Sequence, residues 1–411
     1  MEKNLTFLFY FLPKFLRRVI VFFLGICFYF VKRATSIFTK KCKECYLAVG
    51  KEKYSSEKIR IIFINLNKNS INYFSNLIFD KKPNITQIED KLNDNKNILA
   101  SYPDNVDLIL TKQDRFHARY FQKKGFFVIP RMISMCLDVS DSLENIYYKF
   151  NRTIRKKVNK INKSNYSYET TDDINKFDLF YNKMYVPYAK FRYGDRVMIG
   201  KYVFVRSIFE NGKLLFVKDD EKPILGVIFY RFNKNDVVLS YMGMLEGSFD
   251  YLYKDIGAVS TFFSIKWAKN NEIKNLNFGF CRSFLNNGVF QHNKMWGTYV
   301  EKYRNYFFNV NYDQVYGLKI LNYSNATRSF LENNPFVFYK KDLNVMIFCN
   351  GKLTCDIVRR MYNKYYINGL SKLYIGSTDN IDKNVKDFTR FNYFDKIVLL
   401  DKEETDSYIC G

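Results

Sequence analysis

Residues 213–244 read KLLFVKDDEKPILGVIFYRFNKNDVVLSYMGM, a helix-patterned segment follows from Lys254 to Asn270, and residues 273–280 read IKNLNFGF. Three runs rich in β-branched and aromatic residues, Lys213–Asp219, Pro223–Phe232 and Asp236–Met244, are separated only by the polar turns DEK and NKN. Such spacing demands antiparallel hairpins. In the next segment Ile256, Val259, Phe263 and Trp267 recur at steps of three and four and form one apolar stripe of a helix. A meander, a crossover helix and a further strand predict an α+β unit whose mixed, mostly antiparallel sheet is flanked by helices.

Upstream of this block, INKFDLFYNKMYVPYAKF (Ile174–Phe191) has helical periodicity up to Pro187, with a turn at Arg192, Tyr193 and Gly194. Before it, Asp138, Ser140 and Asp141 offer caps for one long helix, SLENIYYKFNRTIRKKVNKINK, whose second half is strongly basic. Lys149, Arg152, Arg155, Lys156, Lys157, Lys160 and Lys163 follow one another with no acid between. Strand-like runs at Lys58–Asn65, Asn105–Thr111 and FFVIP up to Pro130, with a basic helical patch at Gln113–Lys124, predict a first α/β unit. Residues 345–411 carry no assignable chemistry and read as a small appended α/β element.

The chain has 411 residues, enough for two to three domains, and 47% hydrophobic with 18% aromatic residues exclude global disorder. Lys and Arg number 65 against 41 Asp and Glu, a formal charge of +24 that predicts an anionic partner. His117 and His292 are the two histidines, in unlike contexts, which excludes a zinc site or a relay built on several imidazoles. The eight cysteines are widely scattered and fit a reducing compartment; Cys42 and Cys45 form a C-x-x-C with no second pair at ligand spacing.

Residues 1–41 alternate apolar blocks with basic pairs. The block Val19–Val31 has 13 residues, about 20 Å as a helix, against a hydrocarbon core of about 30 Å. Basic residues follow it at once and no small-x-small site appears, so it reads as an in-plane anchor for an anionic membrane surface rather than a span or a cleaved signal. A hydrophobic helix packed on the protein's own core is the alternative.

The segment NFGFCRSFLNNGVFQHNKMWG (Asn277–Gly297) resembles the signature of the FemAB-like branch of the GNAT acyltransferases, through Phe278, Gly279, Arg282, Ser283, Gly288, Lys294, Trp296 and Gly297. Ile265–Ala268, Ile154–Lys156, Met184, Tyr185, Pro187 and Arg192 agree in order. The resemblance implies two GNAT-like units, the first degenerate, with boundaries at 55–145 and 146–345 and the 346–411 segment appended. It implies transfer of an acyl group, from acetyl-CoA or another acyl-CoA or else from aminoacyl-tRNA, to an amine of a cell-envelope sugar or peptide precursor. The N-terminal segment in turn predicts a cytoplasmic protein peripherally associated with the inner face of the cell membrane, and the scarcity of histidine predicts no metal.

The splayed strands of that fold correspond to Val237–Gly243 and Ile273–Phe280, which makes Leu239 and Tyr241, with Lys254 and Gly257 at the helix start, the donor-binding candidates. The usual pyrophosphate turn is degenerate here, which leaves room for a tRNA donor held by the Lys149–Lys163 helix. Lys294 and Arg282 are the candidates for stabilising a developing oxyanion or a donor phosphate, and His292 for a base. Tyr185, Arg192 and Trp296 are the substrate-binding candidates. Each has a plainer alternative: surface cations for Lys294 and Arg282, a loop histidine for His292, core packing for Trp296, and a helix end on the sheet for Tyr185 and Arg192. A non-catalytic GNAT-like scaffold that binds nucleic acid or anionic membrane is the reading from another class.

Overall fold

The computed structural model describes residues 44–88, 105–115, 118–194, 199–248, 255–302 and 314–410. The expected membrane anchor (1–41), Cys42, His117 and Lys254 lie outside them. Among the described residues no helix is long and apolar enough to cross a membrane.

The strands, in chain order, are β1 (Cys45–Lys51), β2 (Lys58–Ile64), β3 (Asn84–Gln87), β4 (Leu108–Asp114), β5 (Phe127–Pro130), β6 (Met132–Asp138), β7 (Tyr166–Thr171) and β8 (Gly212–Asp219). They continue as β9 (Lys222–Arg231), β10 (Asp236–Met244), β11 (Asn275–Arg282), β12 (Tyr299–Lys302), β13 (Gln314–Ile320), β14 (Phe336–Tyr339), β15 (Leu343–Cys349), β16 (Leu373–Ser377) and β17 (Ile397–Leu400). They form a ten-stranded sheet, ordered β17-β16-β15-β14-β5-β13-β4-β2-β1-β3, and a seven-stranded sheet, ordered β12-β6-β11-β10-β9-β8-β7. The chain divides into two compact units: a first of residues up to 133, 282–287 and 302 onward, and a second of 134–281 and 288–301. Neither is contiguous in sequence, unlike the expected 55–145 and 146–345 segments.

In the first unit, alternation along β2, β4, β5 and β13 sends Ile61, Phe63, Leu108, Leu110, Phe127, Ile129, Tyr316 and Leu318 to one buried cluster, covered by Ile71, Phe74 and Ile78 of the helix Lys68–Ile78. Asn67 starts that helix by accepting the Ser70 N–H at 3.0 Å. Residues 343–400 are not a separate appendage. β15, β16 and β17 are parallel, joined by the helices Cys355–Tyr365 and Lys383–Tyr393, and they extend the same sheet. Cys45 is buried in β1 as a free thiol, a small hydrophobe of the sheet.

The second unit has the expected order. β8, β9 and β10 are antiparallel, the helix Ile256–Asn270 follows, and β11 lies parallel to β10. β9 is buried along nearly its whole length because both faces are covered. On one face Leu225, Val227 and Phe229 meet the crossover helix, with Phe229 stacked on Trp267 at 4.3 Å.

The other face is set by a bulge. Leu239 pairs with Phe229, yet Tyr241 pairs with Ile228, so Ser240 is an extra residue in β10. Beyond it the alternation is inverted: Met242 and Met244 take the crossover-helix face, while Tyr241 and Gly243 turn to the opposite one. There Gly243 pairs with Gly226. A Cβ on Gly226 would lie 2.4 Å from the Phe180 ring, and one on Gly243 would lie 2.4 Å from the Tyr185 amide nitrogen. The two glycines form a backbone trough that receives residues 180–185.

Those residues are not ordinary α-helix. The helical run from Ile174 continues past Pro187 instead of ending there, through a π-turn at Phe180–Tyr185, and Pro187 falls in the first turn of the helix Val186–Tyr193. A proline at that position lacks only an N–H that has no α-helical acceptor to lose, so the wider turn lets the chain pass it unbroken. The expected long basic helix is in turn split. Phe150 leaves helical geometry, Asn151 caps a new helix by accepting the Ile154 N–H at 2.9 Å, and the two pieces are Leu143–Lys149 and Arg152–Ile161.

Gly243→Ala is expected to lower unfolding free energy by about 2–3 kcal/mol in urea titration, because the new methyl meets backbone rather than a movable side chain. Gly257→Ala, where a Cβ meets nothing within 4 Å inside a helix, is expected to be neutral or stabilising by up to about 1 kcal/mol.

Candidate active site

The ladder between β10 and β11 is short. It pairs Asp236–Val238 with Asn275–Asn277 and stops. Two local features end it together: the Ser240 bulge on β10, and on β11 an Asn277 side chain that accepts the Gly279 N–H at 2.7 Å while Gly279 takes φ +90°. A side-chain acceptor two residues back and a left-handed glycine turn the strand out of register. Among the described residues, the edge of β10 that faces β11 has no ladder partner past Val238, whereas its other edge stays paired with β9 to Met244. This is the splay anticipated from the resemblance, with Leu239 and Tyr241 on its rim.

Because of the bulge, Tyr241 faces the π-turn. Its ring meets that of Tyr185 edge-on at 5.1 Å, and Tyr181 lies 5.8 Å from Tyr185. Gly200 is clipped between them: its N–H donates to Tyr185 Oη at 2.9 Å and its carbonyl accepts from Tyr181 Oη at 3.0 Å. Burial pushes the Tyr241 phenol up to about 12, with the neighbouring Tyr185 and Tyr181 adding to the shift. Tyr241 is therefore a neutral hydrogen-bond donor throughout the physiological range. Tyr181 and Gly200 were not among the sequence candidates.

The Asn277–Gly297 segment splits between the units. Its second part, the helix Gly288–Lys294 with the turn to Gly297, belongs to the second unit. Trp296 is fully buried against Phe150, ring centres 5.1 Å apart, so it anchors the turn and offers no ring face to solvent. Gly297, at φ +70°, would place a Cβ 2.6 Å from the Lys149 carbonyl oxygen, and Asn151 N–H donates to the Met295 carbonyl at 2.8 Å. The turn is thus clamped onto the junction of the two basic-segment helices.

The result is a concentration of cations. Burial lowers the Lys294 ammonium from the ordinary 10.5 to about 8. His292 keeps an exposed edge, yet burial of its ring, and then the charges of Lys157 and Arg192, hold its pKa below the usual imidazole value. At neutral pH the pair is accordingly a neutral imidazole and a mostly protonated, easily deprotonated amine. Arg192, at the end of its helix, donates to Tyr188 Oη and lies over that ring. Lys157 pairs with Asp255 at 2.7 Å, at the start of the helix Ile256–Asn270. Lys157 was legible only as one of seven cations.

Arg282 does not join this group. It belongs to the first unit, where its guanidinium covers the Tyr73 ring at 4.4 Å and donates to Tyr316 Oη at 3.2 Å. Gly257 lies in the first turn of the crossover helix, open to its surroundings. Among the described residues no group of His, Cys, Asp and Glu is arranged to hold a metal ion.

No protein-family model matches the sequence, and no curated protein does. Solved structures that are similar include FemX, 12% identical over 66% of this chain and 83% of that one, with a TM-score of 0.36. L-PGS from Bacillus licheniformis is 10% identical over 67% of this chain and 85% of its own, TM-score 0.32. A GCN5-related N-acetyltransferase from Kribbella flavida is 9% identical over 70% and 93%, TM-score 0.27.

Lys294 is expected to titrate near 8 in NMR spectra of reductively ¹³C-methylated protein, with Lys294→Arg identifying the resonance by its loss.

Proposed function

We propose that the chain is an N-acyltransferase of the GNAT and Fem kind, working at the second unit. The observation that carries this reading is the early parting of β10 and β11, where a strand edge without a ladder partner can bind an extended acyl carrier through backbone groups. His292, neutral at physiological pH, takes the proton from an acceptor ammonium. The freed amine attacks the acyl carbonyl carbon and Lys294 as an ammonium steadies the oxyanion. As the intermediate collapses the carrier leaves with its bonding electron pair and takes up the proton that the new amide nitrogen gives up, while His292 returns its own proton to solvent. Leu239 and Tyr241 line the carrier's path, and Tyr185 and Arg192 the acceptor's. The acceptor in this reading is an amine of an envelope sugar or peptide precursor at the inner membrane face, a choice supported by the apolar and basic sequence of residues 1–41.

Acyl-CoA is the donor that the fold suggests, with its pyrophosphate at the N-terminus of the helix Ile256–Asn270. Asp255 sits at that terminus and is held by Lys157, so a pyrophosphate there has to draw Lys157 away from the carboxylate. A second reading, aminoacyl-tRNA as donor, is favoured by the helix Arg152–Ile161. Ile154, Val158 and Ile161 face inward, leaving Arg152, Lys156 and Lys160 exposed and, among the described residues, without an ion pair. CoA is expected to raise the melting temperature under the first reading and tRNA to leave it unchanged. Under the second, replacing Arg152, Lys156 and Lys160 by Gln weakens tRNA binding and flattens its salt dependence.

Transfer activity is expected to follow a bell-shaped pH profile. The acid limb falls below the ordinary imidazole range, where His292 becomes protonated, and the basic limb falls near 8, where Lys294 loses its proton. Lys294→Gln is expected to reduce kcat by about 10²-fold or more, and Lys294→Arg to retain part of the rate while moving the basic limb to higher pH. Unchanged kcat in both Lys294→Gln and His292→Ala would remove the chemistry from this site.

A further inference from the structure

We propose that the first unit contains a separate binding site for a small anionic group, a carboxylate or a phosphate monoester, held between Arg131 and Arg282. The two arginines are brought together by one hydrogen bond. Ser283 Oγ donates to the Pro130 carbonyl oxygen at 2.5 Å, Arg282 precedes that serine, and Arg131 follows that proline. Both side chains reach the same strand: Arg131 Nη1 donates to Gln314 Oε1 at 2.7 Å and Arg282 Nη1 to Tyr316 Oη at 3.2 Å. Gln314 and Tyr316 are two residues apart on β13 and therefore share a face.

What is unusual is what these guanidiniums lack. Both are partly buried, yet among the described residues neither forms an ion pair with a carboxylate. Arginines in such positions are ordinarily paired, because removing the charge from water is costly. Arg131 Nε–H is buried and, among the described residues, has no acceptor. Arg282 lies over the Tyr73 ring and spends one donor of five on a tyrosine oxygen. A phenol and an amide oxygen orient the two forks without neutralising them. The register partners of Gln314 and Tyr316 on β4 are Asp114 and Lys112, so this face carries three cations against one acid. Two oriented, unneutralised guanidiniums match the bidentate geometry of a carboxylate or phosphate. The site lies wholly in the first unit and does not depend on the acyl-transfer reading.

The test is calorimetric titration of the full chain with phenyl phosphate and, separately, with benzoate, which distinguishes the two sources of anionic oxygen. The expected result is saturable binding of at least one, weakened by tenfold or more in Arg131→Gln and in Arg282→Gln. Arg282→Lys, which keeps the charge but removes the fork, is expected to bind more weakly than the wild type and more tightly than Arg282→Gln. Replacing Arg152, Lys156 and Lys160 by Gln in the second unit is expected to leave this binding unchanged. Far-UV circular dichroism and the melting temperature establish that each variant is folded, and Tyr316→Phe gives a milder perturbation of the same site if a glutamine variant is not. Failure of the wild-type protein to bind either anion, or equal binding by the folded arginine variants, would overturn the proposal.

Discussion

One residue of surplus length in a strand governs the second unit. Ser240 has no counterpart on β9, and because side chains alternate strictly along a strand, that surplus reverses the facing of everything after it. Tyr241 leaves the core shared with the crossover helix and meets Tyr185, Gly243 comes to lie beside Gly226, and the resulting trough admits the backbone of the π-turn. The same irregularity sits where β10 parts from β11. Packing on one face and opening of the strand edge are thus two outcomes of one local event, and neither could be altered without the other.

Electrostatics shapes the candidate site by crowding cations together, with Lys157 among them paired to Asp255. The turn that ends at Gly297 is pressed onto the junction of two basic helices, so Lys294 and His292 are drawn into a region already occupied by Lys157 and Arg192. Burial disfavours protonation of both, and the charges of Lys157 and Arg192 add to it at His292. A local structure that would be costly in a purely structural protein yields groups that exchange protons near neutrality, the property that the proposed transfer to an amine calls for.

Much of this was legible. The hairpin turns DEK and NKN and the stripe Ile256, Val259, Phe263 and Trp267 specify the meander and its crossover helix, since turn chemistry and periodicity are local properties. Lys294 and His292 were legible as candidates, but their depressed pKa values are products of tertiary burial. The bulge left a trace: the apolar alternation of Val237 and Leu239 resumes at Met242 and Met244, an odd step that signals an inserted residue. Pro187 pointed the other way, because a helix stop is the usual meaning of a proline and only the π-turn permits passage. The grouping of Arg282 with Lys294 followed closeness in sequence, whereas the chain changes units twice within that segment. The last strands, β15 to β17, could be read as strands but not assigned to a sheet, because partner choice over long separations leaves no local mark.

The π-turn and the β-bulge lie against each other, and each amounts to one residue more than regular geometry uses. Their juxtaposition couples chain length in two segments separated by more than fifty positions. Losing a residue from the strand alone would return Tyr241 and Gly243 to the wrong face while the helix still presented its widened turn, and losing one from the helix alone would leave the glycine trough unfilled. Descendants of this sequence are therefore freer to exchange side chains at these positions than to change their number, and the spacing between Phe180 and Pro187 should be inherited together with that between Leu239 and Gly243.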